Sequence, residues 1–267
     1  MKGRVLIVAG SDSGGGAGIQ ADIKAVTALG GFAMTAITAL TAQNSEGVFG
    51  IHDVPADFVG QQMEVVLKDL GADCVKIGML HRPDIIETVV AVLDKYASGI
   101  PVVVDPVMIA KGGASLLEDA AMSALKGLMV PKAAVLTPNL PEAEALAGRE
   151  GSSLEEAEAL ARALLDLGPD AVLLKGGHRE GETVHDLLLS KSGGKDVFES
   201  ARIETAHTHG TGCTLASSIA TGLAQGLDLA TTVSRGRDYI LEAIRTAPGY
   251  GNGHGPLNHG HTVSDFG

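Results

Sequence analysis

The sequence has few cysteines: Cys74 and Cys213 are the two among 267 residues. Cys74 lies in an apolar segment that predicts a buried strand, whereas Cys213 lies between a glycine-rich loop and a predicted helix. Neither belongs to a CxxC pair, so the sequence offers neither a disulfide framework nor a cysteine zinc site. Free thiols are typical of a reducing compartment, and we expect a cytoplasmic protein.

Positive charge is also scarce, because 20 Lys and Arg residues face 32 Asp and Glu residues, for a net charge of −12. No basic cluster interrupts this balance. Nucleic-acid affinity comes largely from Lys and Arg meeting phosphates, so nucleic acid is not an expected partner. A small anionic substrate is still compatible with the charge, because a few backbone N–H groups and one or two cations create a local positive field.

Long apolar runs and the two common nucleotide fingerprints are absent. Gly, Asp, Lys or Pro interrupts every apolar stretch well before the roughly 18 residues of a membrane span, so we expect no membrane insertion or secretion. The P-loop pattern does not occur, and GTGCTL at 210–215 lacks the third glycine of G-x-G-x-x-G. A nicotinamide dehydrogenase is therefore disfavoured, and any nucleotide site must use another phosphate-binding fold.

What the chain does contain is an alternation of short apolar segments and helical patterns. The apolar segments predict strands at 4–10, 32–40, 74–79, 101–106, 133–139 and 171–177. Most are continuously apolar, as in strands of a parallel sheet that is covered on both faces, and the segments between them have the 3.6-residue period of covering helices. We interpret residues 1–267 as one α/β domain.

The carboxyl-terminal third departs from this pattern. Two segments joined by KSGGK after residue 182 predict an antiparallel hairpin at a sheet edge, and helices are expected at about 211–226 and 228–247. The tail at 248–267 is rich in Gly and His and predicts loop or disorder. Because ligands of open α/β sheets bind beyond the carboxyl ends of the strands, the residues after each apolar segment are the candidates for a site.

The segment HTHGTGCTLASSIATG at 207–222 places two glycines directly before a predicted amphipathic helix. Backbone N–H groups from Gly210, Thr211, Gly212 and Cys213 would line an anion site at the positive end of this helix. The same helix end is expected to lower the pKa of Cys213 and make its thiolate a candidate base. The alternatives are an ordinary glycine-rich helix start and a small apolar cysteine packed against the sheet.

Charged and amide side chains follow three of the predicted strands. Asp105 ends PVVVDP, where it could hold Mg²⁺, and Asn139 and Glu142 come from the next strand end and could complete this oxygen site. Lys175 in VLLKGGH could reach the β or γ phosphate of a nucleotide. The structural alternatives are a turn cap for Asp105, a first-turn position for Glu142 and a solvent-exposed Lys175.

The amino-terminal motif GSDSGGGAGIQAD at 10–22 sets three glycines between a strand and a helix that carries Gln20 and Asp22. Together with TAQN at 41–44 it offers amides and carboxylates suited to a nitrogen heterocycle, and the alternative is a flexible loop. Histidines near the carboxyl terminus show no metal-ligand spacing, and we expect them to be solvated: His207, His209, His254, His259 and His261.

The ordered motifs resemble the hydroxymethylpyrimidine (phosphate) kinase family of the ribokinase superfamily, from AGSDSGGGAGIQAD through KIGML, VVVDPVMIAKGG, LTPNLPEAEAL and THGTGCT to GHGPLNH. The resemblance runs almost end to end. It implies a ribokinase-like three-layer αβα sandwich with a mostly parallel central sheet and an antiparallel edge hairpin. It also implies ATP with Mg²⁺, a homodimer, and two successive phosphorylations in thiamine biosynthesis, first of 4-amino-5-hydroxymethyl-2-methylpyrimidine and then of its monophosphate.

The resemblance also assigns roles to individual positions. It implies a pyrimidine pocket formed by Ala17, Asp22, Gln43 and Met79. It implies a catalytic group of Gly210, Thr211, Gly212, Cys213 and Lys175. Nucleotide binding falls to Lys175, Asn139, Glu142 and Thr208, and metal binding to Asp105 and Glu142.

Two other functions are compatible with these motifs. Sugar kinases of the superfamily have Asp at the position of Cys213, whereas the pyrimidine kinases and some pyridoxal kinases have Cys. A pyridoxal or pyridoxine kinase is therefore the nearest alternative, since its acceptor is also a hydroxymethyl group on an aromatic nitrogen ring. A nucleotide-binding regulatory protein without turnover is the second alternative.

Overall fold

The computed structural model describes residues 1–109, 113, 116–151, 153–177 and 181–264. Within these residues, nine strands form one sheet in the order β3-β2-β1-β4-β5-β6-β7-β8-β9. The strands are β1 (Arg4–Asp12), β2 (Phe32–Gln43), β3 (Val48–Asp53), β4 (Cys74–Ile77), β5 (Val102–Val104), β6 (Val135–Leu136), β7 (Ala171–Leu174), β8 (Thr183–Ser190) and β9 (Lys195–Ala201).

Six of these strands run parallel and occupy the middle of the sheet, as the continuous apolar segments predict. The hairpin of β8 and β9 is antiparallel and closes one edge, which confirms the prediction for the segments on either side of KSGGK. Strand β3 at the other edge was not predicted. Its sequence VFGIHD carries a central glycine, and its residues are mostly half-buried or exposed, so the apolar signal of a buried strand is missing.

Helices cover both faces of the sheet. They are α1 (Gly18–Ala28), α2 (Ala56–Asp69), α3 (Pro83–Tyr96), α4 (Asp119–Ala124), α5 (Leu140–Ala147), α6 (Leu154–Leu165), α7 (Thr211–Ala224) and α8 (Leu229–Arg245). Buried residues of α2 to α6 form one core, and buried residues of α1, α7 and α8 form the core on the opposite face. This is the predicted three-layer αβα sandwich. No helix of the described residues is long and apolar enough to span a membrane.

Strand β1 shows how the sequence specifies two covered faces. Leu6 and Val8 belong to the core beneath α2 and α3, whereas Val5 and Ile7 belong to the core beneath α1 and α7, and all four are fully buried. Successive side chains of a strand point to opposite faces, so a strand with helices on both sides is expected to be mainly apolar along its whole length.

The tail is more ordered than its composition predicts. Residues His259–Thr262 form a 3₁₀ turn, and the N–H of Asn258 donates to the carbonyl of Ala243 at 3.0 Å. Pro256 pairs with His209 in a parallel bridge, and the N–H of His254 donates to the carbonyl of Ser45 at 2.8 Å. These contacts hold the tail against α8 and the loop before α7, so of the two predicted alternatives, loop or disorder, residues 248–264 adopt the loop.

Candidate active site

A cavity of about 690 Å³ opens beyond the carboxyl ends of the parallel strands. Parallel strands all end at one edge of the layer, so the polar residues after them are brought together although they are far apart in the chain. The candidate residues that line the cavity are Ala17, Gln43, Met79, Asp105, Asn139, Glu142, Lys175, Thr208, Gly210, Thr211, Gly212 and Cys213. Asp22 does not.

The cavity extends along the sheet. One end is lined by Gln43 of β2, by Met79 after β4, and by Gly10 of β1. The other end is lined by residues of the edge hairpin and α8, including Ser200 and Ile240. The sheet order separates β2 from β8 by the strands β1 and β4 to β7, so the two ends of the cavity are well separated and the residues after β5 and β7 lie between them.

Asp105 and Lys175 meet in this middle region. The Nζ atom of Lys175 lies 3.0 Å from Oδ1 of Asp105, and both side chains are largely buried. A Cβ atom built at Gly212 would lie 3.3 Å from that Nζ and 3.4 Å from Oδ2 of Asp105. The start of α7 therefore faces the ion pair directly, and these three positions lie together in one cavity.

Neighbouring carboxylates keep the side chain of Lys175 positively charged. Burial acts to lower the pKa of this ammonium, but the carboxylates of Asp105 and Glu142 outweigh that effect and hold the pKa above its ordinary value. Lys175 is thus a fixed positive charge inside an acidic protein, as an anion site requires.

The turn before α7 requires glycine. Gly210 has a left-handed backbone with φ of 84°, and a Cβ atom there would lie 1.9 Å from the carbonyl oxygen of Gly16. The glycine-rich loop at the amino terminus and the start of α7 consequently touch through their backbones. The first N–H groups of a helix have no intrahelical acceptor, so those of Gly212 and Cys213 are available to an anion in the cavity.

Cys213 lines the cavity, but the prediction that its pKa is lowered was wrong. The thiol is only partly exposed, and burial raises its pKa to about 12. Lys76 opposes this shift, whereas the carboxylates of Asp22 and Asp105 reinforce it. Burial and two nearby carboxylates thus raise the pKa of Cys213, the opposite of the lowering that its position at the start of α7 predicts, and they favour the protonated thiol.

Asn139 and Glu142 form a capping box at the start of α5. Oδ1 of Asn139 accepts the N–H of Glu142 at 2.9 Å, and Oε2 of Glu142 accepts the N–H of Asn139 at 2.8 Å. The structural alternative for Glu142 is therefore correct, yet both residues also line the cavity. Burial, followed by the charge of Asp105, raises the pKa of Glu142 to about 7, while Lys175 opposes the shift.

Asp22 was predicted to contact the heterocycle, and the structure places it behind the cavity wall instead. Its carboxylate is fully buried, pairs with Nζ of Lys76 at 2.9 Å and accepts the hydroxyl of Ser217 at 2.7 Å. The sequence pattern places Asp22 in the first turns of α1, but it does not tell which side of the helix faces the cavity. Lys76, which was not predicted from the sequence to be a site residue, lines the cavity where Asp22 was expected.

His209 was also misjudged, because we expected a solvated side chain. It is 8% exposed, and its Nε2 atom lies 2.9 Å from Oδ2 of Asp12. His259 is buried as well and lies 3.0 Å from the hydroxyl of Tyr239. His209 contacts Asp12 and His259 contacts Tyr239, which are not their sequence neighbours. The local composition around each histidine does not indicate these contacts. Among the described residues no three His, Cys, Asp or Glu side chains form a metal cluster.

At the hairpin end, Arg237 of α8 forms a buried ion pair with Asp186 of β8 and donates to the hydroxyl of Ser200 at 3.1 Å. Asp186 also accepts the N–H of Gly176 at 2.7 Å, next to Lys175. Sequence reasoning missed this pair, because a charge on an edge strand or on a surface helix is usually solvated.

The family model for phosphomethylpyrimidine kinase matches residues 12–258. The chain belongs to this family. It is 46% identical over 257 residues to the hydroxymethylpyrimidine/phosphomethylpyrimidine kinase of Bacillus subtilis, covering 96% of this chain and 94% of that one. It is 51% identical to the thiamine biosynthesis bifunctional protein ThiED of Geobacter sulfurreducens, covering 97% of this chain, which spans 52% of that longer protein.

Solved structures agree with this assignment. The phosphomethylpyrimidine kinase of Clostridium difficile superposes with a TM-score of 0.81 at 41% identity, covering 91% of this chain and all of that one. An ADP complex of Bacillus subtilis pyridoxal kinase superposes with a TM-score of 0.88 at 31% identity, covering 97% and 98% of the two chains. The phosphomethylpyrimidine kinase family thus shares its fold with pyridoxal kinases.

Proposed function

We propose that this chain transfers the γ-phosphoryl group of ATP to the hydroxymethyl oxygen of 4-amino-5-hydroxymethyl-2-methylpyrimidine, and then to the resulting monophosphate, in thiamine biosynthesis. The names of the relatives support this substrate. The observation that carries the proposal is the meeting of Asp105, Lys175 and the start of α7 between two distinct ends of one cavity. Phosphoryl transfer needs this arrangement, because donor and acceptor must approach from opposite sides of the transferred group.

The end at β1, β2 and β4 suits the pyrimidine. Gln43 presents a side-chain amide that is held by the hydroxyl of Thr41 at 3.1 Å and lies 3.5 Å from Nε2 of His209. An oriented amide can pair with a ring nitrogen and an amino group at once. Met79 supplies an adaptable apolar surface for the ring face, and Ala17 also lines the cavity.

The end at the hairpin and α8 suits the adenosine of ATP. It combines apolar side chains such as Ile240 and Ile244 with the polar groups of Ser200 and Arg237. The triphosphate would then extend toward Lys175, past Thr208. The ADP complex of the pyridoxal kinase from Bacillus subtilis supports a nucleotide in this fold.

Asp105 and Glu142 fit a divalent cation. Asp105 adds to the rise in the pKa of Glu142, and such repulsion between carboxylates is what a bound cation relieves. Mg²⁺ commonly binds one or two protein carboxylates together with substrate phosphates and waters, so two carboxylates are sufficient. When bound there, Mg²⁺ would neutralise charge on the ATP phosphates.

The residues of the chain supply positioning and charge stabilisation. Lys175 and the N–H groups of Gly212 and Cys213 would stabilise the negative charge that develops on the γ-phosphoryl oxygens. The hydroxymethyl oxygen forms a bond to the γ-phosphorus while the bond from phosphorus to the ADP oxygen breaks. The hydroxymethyl proton passes to the sulfur of Cys213 when its thiol is ionised, a form that makes up a small fraction at neutral pH because burial raises the pKa to about 12. In the second step the acceptor is already an anion, so Cys213 is not needed as a base.

A coupled assay of ADP formation with ATP, Mg²⁺ and each acceptor tests the proposal. We expect turnover with the hydroxymethylpyrimidine and its monophosphate, and at least about tenfold lower kcat/KM with pyridoxal, since positioning contacts of about 1.4 kcal/mol change the rate tenfold. Lys175→Met is the control that should abolish turnover. Preference for pyridoxal would establish the alternative kinase, and absence of ADP with every acceptor would establish a nucleotide-binding protein without turnover.

We further propose a cytoplasmic homodimer. Its support is the edge of the sheet at β2 and β3, where Leu40 and Phe49 are 46% and 72% exposed. Apolar side chains on an exposed edge are a common contact for a second copy. Light scattering after size exclusion should give twice the mass of one chain, and Phe49→Asp should give the mass of a monomer.

A further inference from the structure

Lys76 is a buried ammonium that the mechanism above does not use. It lies on β4 with no exposed side-chain surface, although one side of it contributes to the cavity wall. Taking a charge out of water is unfavourable unless it is paired, and even a buried ion pair rarely adds stability beyond what apolar side chains of the same size would give. A Lys and Asp pair at this depth next to a candidate active site therefore calls for a functional explanation.

The hydrogen bonds connect Lys76 to the helix that carries Cys213. Lys76 pairs with one oxygen of Asp22 on α1 at 2.9 Å, and the other oxygen of Asp22 accepts the hydroxyl of Ser217 at 2.7 Å. Ser217 lies four residues after Cys213 on α7, and residues at this spacing occupy the same face of a helix. The ammonium of Lys76 is thereby fixed behind the first turns of α7, on the side of the cysteine.

Four charged groups act on the sulfur of Cys213 from the surrounding elements: Lys76 of β4, Asp22 of α1, Asp105 after β5 and Lys175 after β7. Lys76 is the strongest influence in favour of negative charge on this sulfur, and the two carboxylates oppose it. Burial alone would lower the pKa of Lys76, but Asp22, Cys213 and Asp105 together raise it above its ordinary value. Lys76 is therefore a permanent positive charge that interacts electrostatically with the sulfur of Cys213.

We propose that Lys76 is a positioning residue that stabilises the thiolate of Cys213, and that Asp22 and Ser217 hold its ammonium in place. The thiolate is the form that accepts the hydroxymethyl proton. This inference rests on the proposed role of Cys213 in the kinase reaction. It can be tested through the reactivity of the thiol alone, without turnover, so its failure would leave the kinase proposal untouched.

The experiment measures the rate at which iodoacetamide alkylates Cys213 in the full-length protein, read by mass spectrometry of its peptide. Only the thiolate reacts, so below the pKa the rate at a fixed pH changes tenfold for each unit of pKa. We expect Lys76→Met to slow alkylation about tenfold or more at pH 8. We expect Asp22→Asn to accelerate it severalfold, because this substitution removes a negative charge and leaves the ammonium with the sulfur as its partner.

The double variant Lys76→Met with Asp22→Asn removes both charges and leaves no unpaired ion, so it serves if Lys76→Met alone does not fold. Its rate should lie between those of Lys76→Met and wild type, and Lys76→Arg should retain more reactivity than Lys76→Met. Far-UV circular dichroism confirms that each variant is folded. Opposite effects of the two single substitutions support the proposal. Slower alkylation in both, or unchanged rates in both, overturns it.

Discussion

The Nε2 atom of His209 lies 2.9 Å from Oδ2 of Asp12, although 197 positions separate the two residues. The same carboxylate accepts the N–H groups of Gly14, Gly16 and Ala17 at 2.8 to 3.1 Å. Asp12 therefore fixes the glycine-rich loop and ties it to the segment that precedes α7. The two loops that flank the proposed acceptor and phosphate positions are held as one unit.

Asp12→Asn should loosen this unit. We expect a loss of about 1–3 kcal/mol in the free energy of unfolding, because buried N–H donors lose a charged acceptor. We also expect a higher KM for the pyrimidine with a smaller change in the KM for ATP. Urea unfolding and steady-state kinetics measure the two effects, and the exposed Asp196→Asn serves as control. Equal changes in both KM values would contradict a local role for Asp12.

A double-mutant cycle with His209→Gln tests the pairing itself. Residues in direct contact commonly show coupling energies of about 0.5–3 kcal/mol, whereas independent sites are additive. We expect a coupling of at least about 1 kcal/mol between Asp12→Asn and His209→Gln. Additive losses would mean that the two side chains act separately.

Cys213→Ala should separate the two proposed phosphorylations. The first step deprotonates a hydroxymethyl group, whereas the second has an anionic acceptor, so we expect the first to slow about 10²-fold or more and the second by less than about tenfold. Single-turnover assays with each acceptor measure both rates. Equal losses in the two steps would remove the base from the mechanism.

The pH dependence gives a second test of Cys213. Because burial raises the pKa of this thiol to about 12, the thiolate fraction grows about tenfold per pH unit across the accessible range. The rate of the first step should therefore rise from pH 7 to 9 in the wild type and rise less in Cys213→Ala. A flat wild-type profile would show that no thiolate is required.

Much of this architecture was accessible from the sequence, because strands covered on both faces are mainly apolar and their carboxyl ends lie at one edge of the sheet. The hairpin at KSGGK and the glycines before α7 gave equally direct local signals. The predictions that failed concern residues whose role depends on burial and on the direction of the side chain. Asp22 is fully buried against Lys76 and does not line the cavity, and burial raises the pKa of Cys213 although its position at a helix start was expected to lower it. The ion pair of Asp186 and Arg237 joins elements whose charges were each compatible with solvent.

Gly210→Ala tests the contact between the loop of Gly16 and the start of α7. The variant meets two obstacles, a left-handed backbone and a Cβ atom 1.9 Å from the carbonyl oxygen of Gly16. Gly226→Ala is a matched control, because its φ of 81° is similar and its Cβ would meet nothing within 4 Å. The control should lose about 1–2 kcal/mol from backbone strain alone.

Gly210→Ala should lose at least about 2 kcal/mol more than this control, because the Gly16 loop must shift, and backbone strain costs of order 1–3 kcal/mol before any steric clash is added. Thermal unfolding of both variants measures the difference. ADP formation should fall at least about 10²-fold in Gly210→Ala and remain near wild type in Gly226→Ala, since small misplacements at a site cost about that factor. Similar losses of stability in the two variants would show that the contact with Gly16 contributes nothing.

Glu142→Gln should make the free energy of unfolding less dependent on pH. The pKa of this carboxyl is raised from 4.5 to about 7 in the folded protein, so the folded state favours the protonated form. Its contribution to stability is complete below pH 4.5 and is lost as the pH rises through 7. The wild type should therefore lose up to about 3 kcal/mol more than Glu142→Gln between pH 5 and pH 8.

Glutamine can still accept the N–H of Asn139, so the capping box of α5 is preserved and the difference reports the charge. At pH 8 the variant should be more stable than the wild type and yet need several times more Mg²⁺ for half-maximal activity, because one of two proposed carboxylate ligands is neutral. Chemical unfolding at both pH values and a magnesium titration measure this, with the exposed Glu155→Gln as control. Parallel pH profiles for wild type and Glu142→Gln would place the titrating group elsewhere. An unchanged magnesium requirement would remove Glu142 from the metal site.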